Sequence, residues 1–108
     1  MPRLIVAEYQ TPDSRTPVMD WLRALRDDRA MQRIAQRIDR LRLGLRGDWR
    51  PVGGPVFELR INHGPGYRIY AAQDGNTLIV LLCAGDKRTQ QRDIEIAHAY
   101  WKEYQARR

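Results

Sequence analysis

The sequence predicts a single α+β domain, residues 1–108, with the element order βααβββα and a mostly antiparallel four-stranded sheet. Two consecutive segments between residues 16 and 45 have apolar residues at three- and four-residue steps, which is the spacing of amphipathic helices. Residues 56–62 alternate between apolar and polar side chains, as a half-buried strand does. A chain of 108 residues that is 43% hydrophobic supports one core. We therefore expect a helical hairpin on one face of the sheet, followed by a C-terminal helix.

The N-terminal half of the chain is expected to form one strand and two helices. Residues 3–10 are typical of a strand and are followed by a turn. Thr16 is a suitable N-cap for the first helix, with Pro17 at its first position. The second helix should end within residues 44–47, where two glycines occur. The predicted apolar stripes are Val18, Trp21, Leu22 and Leu25 in the first helix, and Met31, Ile34, Ile38, Leu41 and Leu45 in the second.

Residues 56–73 are expected to form a β-hairpin around a loop at residues 63–65. Alternation divides its first strand into an apolar core face and a polar face. In the second strand the β-branched Ile69 belongs with the core, which sends Arg68 to the polar face. The polar face of the first strand consists of Glu58, Arg60 and Asn62.

The register of this hairpin predicts a cationic pair. Pairing Asn62 with Gly66 sets Arg60 directly opposite Arg68, and it also sets Glu58 opposite Tyr70. Two arginines opposed on a sheet repel each other, so an ordinary solvated strand face explains the pair less well than a phosphate-binding surface does. Lys87 follows the fourth strand and could add a third cation, or it could be a surface residue at a helix start.

The remaining residues complete the sheet and add a third helix. A turn at residues 74–76 leads into a strand at residues 77–83. Because residues 78–82 are apolar on both faces, this strand belongs between the second hairpin strand and the first strand of the chain. The last helix begins near residue 89 and ends in a basic tail, which we expect to fray. Its predicted apolar stripe is Ile94, Ala97, Trp101 and Tyr104.

The charge of the chain indicates an anionic partner. A formal net charge of +6 comes from 17 arginines and 2 lysines against 13 acidic residues. Because arginine grips phosphate and carboxylate in two places, a nucleic acid or an acidic protein is implied. The outer face of the second helix is either a solvated face or an RNA contact. The arginines predicted on that face are Arg29, Arg33, Arg37, Arg40, Arg42 and Arg46.

The cysteine, the two histidines and the hydropathy of the chain limit the kinds of site and segment that the protein can contain. Cys83 is the single cysteine, so an intrachain disulfide is excluded, and its apolar strand favours a core role over a nucleophilic one. His63 and His98 are far apart in sequence and give no metal-ligand spacing, so we expect neither a metal nor another cofactor. The longest apolar run, residues 78–84, is too short to span a bilayer, and the N-terminus lacks a signal-peptide layout. We expect a cytoplasmic protein.

Several segments together resemble a known family. They are Phe57–Ile61, Gly64–Tyr70, Leu81–Lys87, Thr89–Gln90 and Asp93–Ile94. They resemble the addiction-module killer proteins of the RelE/ParE superfamily, and in particular its HigB-like, phage Gp49-like branch, over nearly the entire chain. The resemblance implies the toxin of a type II toxin–antitoxin pair, usually an RNase that cuts mRNA in the ribosomal A site. The implied partners are the ribosome, mRNA and a cognate XRE-like helix-turn-helix antitoxin, which alone would contact operator DNA; no membrane partner is implied.

Metal-free RNA cleavage by the neighbouring 2′-hydroxyl needs a base, an acid and cationic stabilisation of the phosphorane. By resemblance, Arg60, Arg68 and Lys87 match cationic active-site positions. Glu58 could act as a general base or could form a salt bridge with Arg60. Some relatives carry a second basic strand residue and an active-site tyrosine where this chain has Glu58 and residues 90–93, so the acid and base stay open.

Further candidates are expected to bind RNA. Tyr70 could stack on a base or fill the core. Histidine is by its intrinsic chemistry suited to proton transfer, so His63 is a candidate, although loop histidines are often incidental. The predicted RNA-binding residues are Asn62, His63, Tyr70 and Arg88. Two other functions remain open. One is a non-enzymatic, ParE-like toxin that poisons DNA gyrase, and the other is a basic RNA-binding module without activity. For the predicted ribosome-dependent mRNA endonuclease we expect helices on one face of the sheet and an arginine-bearing face that is open to RNA.

Overall fold

The computed structural model describes residues 3–108 and confirms the α+β class. A single 3₁₀ turn, Lys87–Thr89, joins the last strand to the last helix. The other elements, in chain order, are β1 Ile5–Glu8, α1 Pro17–Ala24, α2 Asp28–Leu41, β2 Trp49–Pro51, β3 Val56–Ile61, β4 Tyr67–Asp74, β5 Leu78–Asp86 and α3 Gln90–Arg107. No helix within residues 3–108 is long and apolar enough to cross a membrane.

The sheet has five strands rather than the predicted four, in the order β1-β5-β4-β3-β2. β1 pairs in parallel with β5, and the other three pairs are antiparallel. The missed strand is β2, three exposed residues that pair with β3 from Trp49 opposite Leu59 to Pro51 opposite Phe57. So short a strand gives no periodicity in the sequence, and its proline is tolerated because β2 lies at the edge of the sheet.

The predicted register of the β3–β4 hairpin is confirmed. Arg60 lies opposite Arg68, and Glu58 lies opposite Tyr70. The loop is closed by a 3.1 Å hydrogen bond from the Gly66 amide to a carbonyl three residues earlier. β5 lies between β4 and β1, as its two apolar faces predict.

The helical hairpin follows the predicted pattern with two corrections. Pro17 begins α1, and Asp27 caps α2 by accepting a 3.0 Å hydrogen bond from the Ala30 amide. Met31 and Leu45, predicted in the apolar stripe, are 38% and 56% exposed. Ala30 takes the buried position on the first turn in place of Met31, and Leu45 lies beyond the end of α2.

Helices cover both faces of the sheet, so the expectation of an open arginine-bearing face is wrong. On the face of α1 and α2, the core includes Phe57, Leu59 and Ile69. On the other face, residues such as Val56 and Tyr70 form a second core with α3. The polar alternation of β3 hid this second core because its apolar residues come from three different strands, from the residues that follow β1 and β2, and from α3. Ile94, Ala97, Trp101 and Tyr104 of α3 belong to this core, as predicted, and Ile96 and Tyr100 also pack against it.

The C-terminal tail is attached to the fold rather than frayed. α3 extends through Arg107, whose Nε lies 2.7 Å from Glu103 Oε2. Arg108 forms an ion pair with Asp74 at the end of β4. The last turn of α3 is therefore fixed against the strand that also carries Arg68.

Candidate active site

Two arginines converge on one buried carboxylate near the end of the β3–β4 hairpin. Arg60 Nε lies 3.2 Å from Glu58 Oε1, and Arg68 Nε lies 3.9 Å from the same oxygen. The Arg60 side chain is 31% exposed, whereas that of Arg68 is 8% exposed. Arg60 is thus the member of the pair that solvent reaches, and Arg68 lies behind it.

Glu58 is fully buried and has polar partners at both carboxylate oxygens. Its Oε2 accepts hydrogen bonds from the Tyr70 hydroxyl at 2.9 Å and from Gln90 Nε2 at 2.8 Å. Arg60 donates to the other oxygen. A buried carboxylate persists when it is paired and hydrogen-bonded in this way. The geometry therefore favours the salt-bridge interpretation of Glu58, in which it holds the two arginines together.

Tyr70 lies inside the second core with no exposed surface. Burial, and next the charge of Glu58, raise the pKa of its hydroxyl far above the ordinary value. Its ring is covered by the α3 side of the protein and has no free face for a base. The predicted stacking role does not fit this position; Tyr70 instead supports Glu58.

Lys87 and Arg68 both lie beside the backbone of Gly66. A Cβ atom on Gly66 would lie 3.4 Å from Arg68 Nη1 and 3.6 Å from Lys87 Cβ. Lys87 is exposed, and among residues 3–108 no carboxylate forms an ion pair with it. The structure thus brings Arg60 and Arg68 together at Glu58 and places the Cβ of Lys87 beside Arg68. We name these three residues, Arg60, Arg68 and Lys87, the cationic cluster.

Arg88 and Asn62 lie at the border of the cationic cluster and are both exposed. Arg88 Nη2 lies 3.0 Å from Asp86 Oδ2, and hydrogen bonds from Arg88 hold the pKa of Asp86 below its usual value. Asn62 Nδ2 donates to Asp48 Oδ2 at 3.3 Å. Arg88 and Asn62, which were predicted to bind RNA, therefore each have an acidic partner, whereas Lys87 has none among the described residues.

His63 contacts α2 rather than the arginines. Its Nε2 lies 3.2 Å from Asp27 Oδ2, the carboxylate that caps α2. The hydrogen bond from the Ala30 amide, and then the neighbouring His63, lower the pKa of Asp27. His98 likewise has a structural partner, because its Nε2 lies 2.8 Å from the Val52 carbonyl oxygen.

The start of α3 is packed tightly on β5 beside Arg68. Gly85 lies opposite Arg68, and a Cβ atom there would lie 2.0 Å from Asp93 Oδ2. Asp93 is 5% exposed and accepts a 2.5 Å hydrogen bond from Thr89 Oγ1. Sequence reasoning assigned no role to Gln90, although its position early in the last helix was the available signal. Gln90 is the first residue of α3, and its Nε2 donates to Glu58 Oε2 at 2.8 Å.

Two arginines predicted on the outer face of α2 turn inward instead. Arg46 lies over the rings of Phe57 and Trp49, at 3.9 and 4.5 Å from their centres, and donates to Gln73. Arg37 is half-buried and donates to backbone carbonyls. The spacing of residues in the sequence predicts on which side of a helix each residue lies. It does not predict that a long side chain bends back to the sheet.

Neither the cysteine nor a metal-ligand cluster adds chemistry to the described part of the chain. Burial raises the pKa of the Cys83 thiol to about 12, and its Sγ donates to the Asp93 carbonyl at 3.4 Å. A thiol that remains protonated is a poor nucleophile. Within residues 3–108, no group of three His, Cys, Asp or Glu side chains is arranged to hold a metal ion.

The fold and the site define a small α+β protein that presents clustered cations at one end of a mixed sheet. Comparison with known proteins identifies the family. The chain belongs to the family described as "Phage derived protein Gp49-like (DUF891)", which matches residues 20–102. A protein of Haemophilus influenzae (strain ATCC 51907 / DSM 11121 / KW20 / Rd), which bears the name "Uncharacterized protein", is 47% identical over 77 residues. That alignment covers 71% of this chain and 78% of the relative. The family match includes the whole cationic cluster and Glu58.

Proposed function

We propose that this chain is the toxin of a type II toxin–antitoxin system and acts as a ribosome-dependent mRNA endonuclease. Membership in the phage-derived Gp49-like family supports an addiction-module role. The RelE/ParE and HigB-like resemblance of residues 57–94 supports the choice of RNA as substrate. In this proposal the protein works in the cytoplasm, and its partners are the ribosome, mRNA and a helix-turn-helix antitoxin through which it meets operator DNA.

The observation that carries the proposal is the convergence of Arg60 and Arg68 on Glu58, with Lys87 beside Arg68. A phosphodiester that reacts by internal attack gains negative charge at phosphorus, and fixed cations stabilise that charge. Guanidinium groups match phosphate oxygens in two places, whereas a lysine adds a point charge. Glu58 neutralises part of the positive charge, so that the arginines remain together while no substrate is bound.

The proposed reaction is attack of a 2′-hydroxyl on the adjacent phosphorus. The 2′-oxygen gives up its proton and bonds to phosphorus, while the bond from phosphorus to the 5′-oxygen breaks and that oxygen gains a proton. The products are a 2′,3′-cyclic phosphate and a 5′-hydroxyl. Arg60 and Lys87, which are accessible, would contact the phosphate, and Arg68 would hold Arg60 in place through Glu58 and add charge from behind.

Inducible expression in bacteria tests the function. We would compare the wild type with Arg68→Ala and with Lys87→Ala, an exposed position at which substitution leaves the core intact. Arg15→Ala is the charge-matched control, because Arg15 is an exposed loop residue whose ion pair among residues 3–108 is with Asp13. We expect growth arrest with codon-phased mRNA 5′ ends for the wild type and the control, and loss of both for the two variants.

Two other results would reject the proposal. Growth arrest with intact mRNA and blocked DNA supercoiling would identify a gyrase poison. No arrest, with salt-sensitive RNA binding whose log–log slope is roughly −0.7 per phosphate contact, would identify an inactive RNA-binding module.

A further inference from the structure

The guanidinium group of Arg37 donates to three carbonyl oxygens on two separate backbone segments. Its Nη2 donates to the carbonyl oxygens of Arg46 at 2.8 Å and Asp48 at 2.7 Å. Its Nη1 donates to the carbonyl oxygen of Arg60. A side chain of α2 thereby fastens the connector between α2 and β2 to β3, at the residue that carries the accessible arginine of the cationic cluster.

The backbone of Arg60 is held from both sides by this arrangement. Its amide donates to the Asp48 carbonyl at 2.9 Å, and that carbonyl also accepts from Arg37. The β2–β3 register ends one residue earlier, at Trp49 opposite Leu59. An antiparallel hydrogen-bonded pair normally exchanges both bonds between strands. The carbonyl oxygen of Arg60 instead accepts its hydrogen bond from the side chain of Arg37.

The position of Arg37 is built into the surrounding chain. Gly47 has φ +66°, and a Cβ atom there would lie 3.0 Å from Arg37 Nε. Burial lowers the pKa of Arg37, and its buried Nε has no hydrogen-bond partner among the described residues. Ordering a half-buried guanidinium that is bonded only to carbonyls carries a desolvation cost. This cost indicates a requirement at this point for a fixed backbone.

We propose that Arg37 is a positioning residue for Arg60, and this inference rests on the proposed function. By fixing the carbonyl and, through Asp48, the amide of Arg60, it fixes the direction in which the Arg60 side chain leaves β3. That direction lets one guanidinium contact Glu58 and still face a phosphate. Misplacement of a transition-state contact by a small distance lowers the rate of the chemical step more than it lowers substrate binding.

The test uses Arg37→Met and Arg37→Lys in the full chain, with Arg15→Met as the charge-matched control. Lysine retains the positive charge but lacks the planar fork that reaches several carbonyls. The Lys variant is also the one to measure if Arg37→Met fails to fold. The readouts are hydrogen exchange at the Arg60 amide, with Ile69 in the core as reference, and mRNA cleavage on purified ribosomes.

We expect both Arg37 variants to raise exchange at the Arg60 amide about tenfold or more, with Ile69 unchanged. Cleavage by these variants should show kcat lowered about tenfold and KM within about twofold of the wild type. In an Arg60→Ala background, the same substitutions should lower kcat by less than about twofold, because Arg37 acts through Arg60.

Three results would overturn the role of Arg37, and the first two concern exchange and the Arg60→Ala background. One is unchanged exchange at Arg60, and the other is an equal loss of kcat with and without the Arg60 side chain. Full activity of Arg37→Lys would also reject it, since charge alone would then suffice. If the wild type cleaves no RNA while exchange at Arg60 rises in the variants, the nuclease function fails and the fixing of the Arg60 backbone by Arg37 is supported.

Discussion

Arg60 and Arg68 lie directly opposite each other on β3 and β4, and both direct a guanidinium nitrogen to Glu58 Oε1, at 3.2 and 3.9 Å. Like charges in this position destabilise a sheet. The carboxylate between them offsets the repulsion, and its burial strengthens the attraction to both cations. The cationic cluster is therefore a product of the fold, and its integrity depends on one acidic residue.

Replacing Glu58 with glutamine should destabilise the protein by about 3 kcal/mol, because removing one partner of a buried ion pair leaves the other charge uncompensated. Urea denaturation measures the change. Glu95→Gln, at an exposed position on α3, should stay within about 0.5 kcal/mol of the wild type. Equal stability of Glu58→Gln and the wild type would contradict a structural role for this carboxylate.

Stability should fall above pH 10 partly because of Tyr70. Burial and Glu58 raise its pKa in the folded state, so the unfolded chain releases this proton first. The contribution of protonated Tyr70 to the free energy of unfolding is complete below pH 10. It is lost as the pH rises, by up to about 1.4 kcal/mol per pH unit. Urea denaturation at pH 8 and pH 11 should show a smaller loss for Tyr70→Phe than for the wild type. The same loss in both proteins would show that Tyr70 titrates normally.

Gly85→Ala should loosen the start of α3. The added methyl group would lie 2.0 Å from Asp93 Oδ2, so α3 must shift, at a cost of about 2–3 kcal/mol. In an Asp93→Ala background the carboxylate is gone, and the same methyl group should cost less. Thermal denaturation of the four proteins measures this difference. A methyl group that costs the same in both backgrounds would rule out this contact as the reason for glycine.

Lys87 and Arg88 are adjacent exposed cations that should differ in their effect on cleavage. Lys87 is free of acidic partners in the described chain, whereas Arg88 is paired with Asp86. Lys87→Ala should lower the rate of mRNA cleavage by about tenfold to a hundredfold, with Arg88→Ala closer to the wild type. Single-turnover cleavage on ribosomes measures both. A larger loss at Arg88 would reverse this assignment.

The sequence was sufficient to predict the pairing that creates the cationic cluster. Strict alternation in β3 and Ile69 as a core residue of β4 define the two faces of the hairpin, and the pairing of Asn62 with Gly66 across the three-residue loop then sets Arg60 opposite Arg68. The apolar run of β5 likewise predicted its central place in the sheet. These predictions succeed because burial imposes a period on the residues of each strand.

Other features depend on contacts that no local period encodes. Tyr70 lies two residues after Arg68 and therefore on the same face of β4, which predicts a place on the polar face. It is buried instead, because α3 packs over that part of the sheet. Arg37 lies among exposed arginines in the sequence, but the connector after α2 brings two carbonyls within its reach and β3 brings a third. Both cases require knowledge of which distant segments meet.

The most direct test of the account is cleavage of a defined mRNA by the purified protein, with and without ribosomes, followed by analysis of the RNA ends. We predict a cut within the A-site codon that leaves a 5′-hydroxyl, that requires ribosomes, and that slows at least a hundredfold in an Arg60→Ala/Lys87→Ala double variant. Intact mRNA on ribosomes, with wild-type protein that is folded and arrests growth, would contradict the proposal that the cationic cluster cleaves RNA.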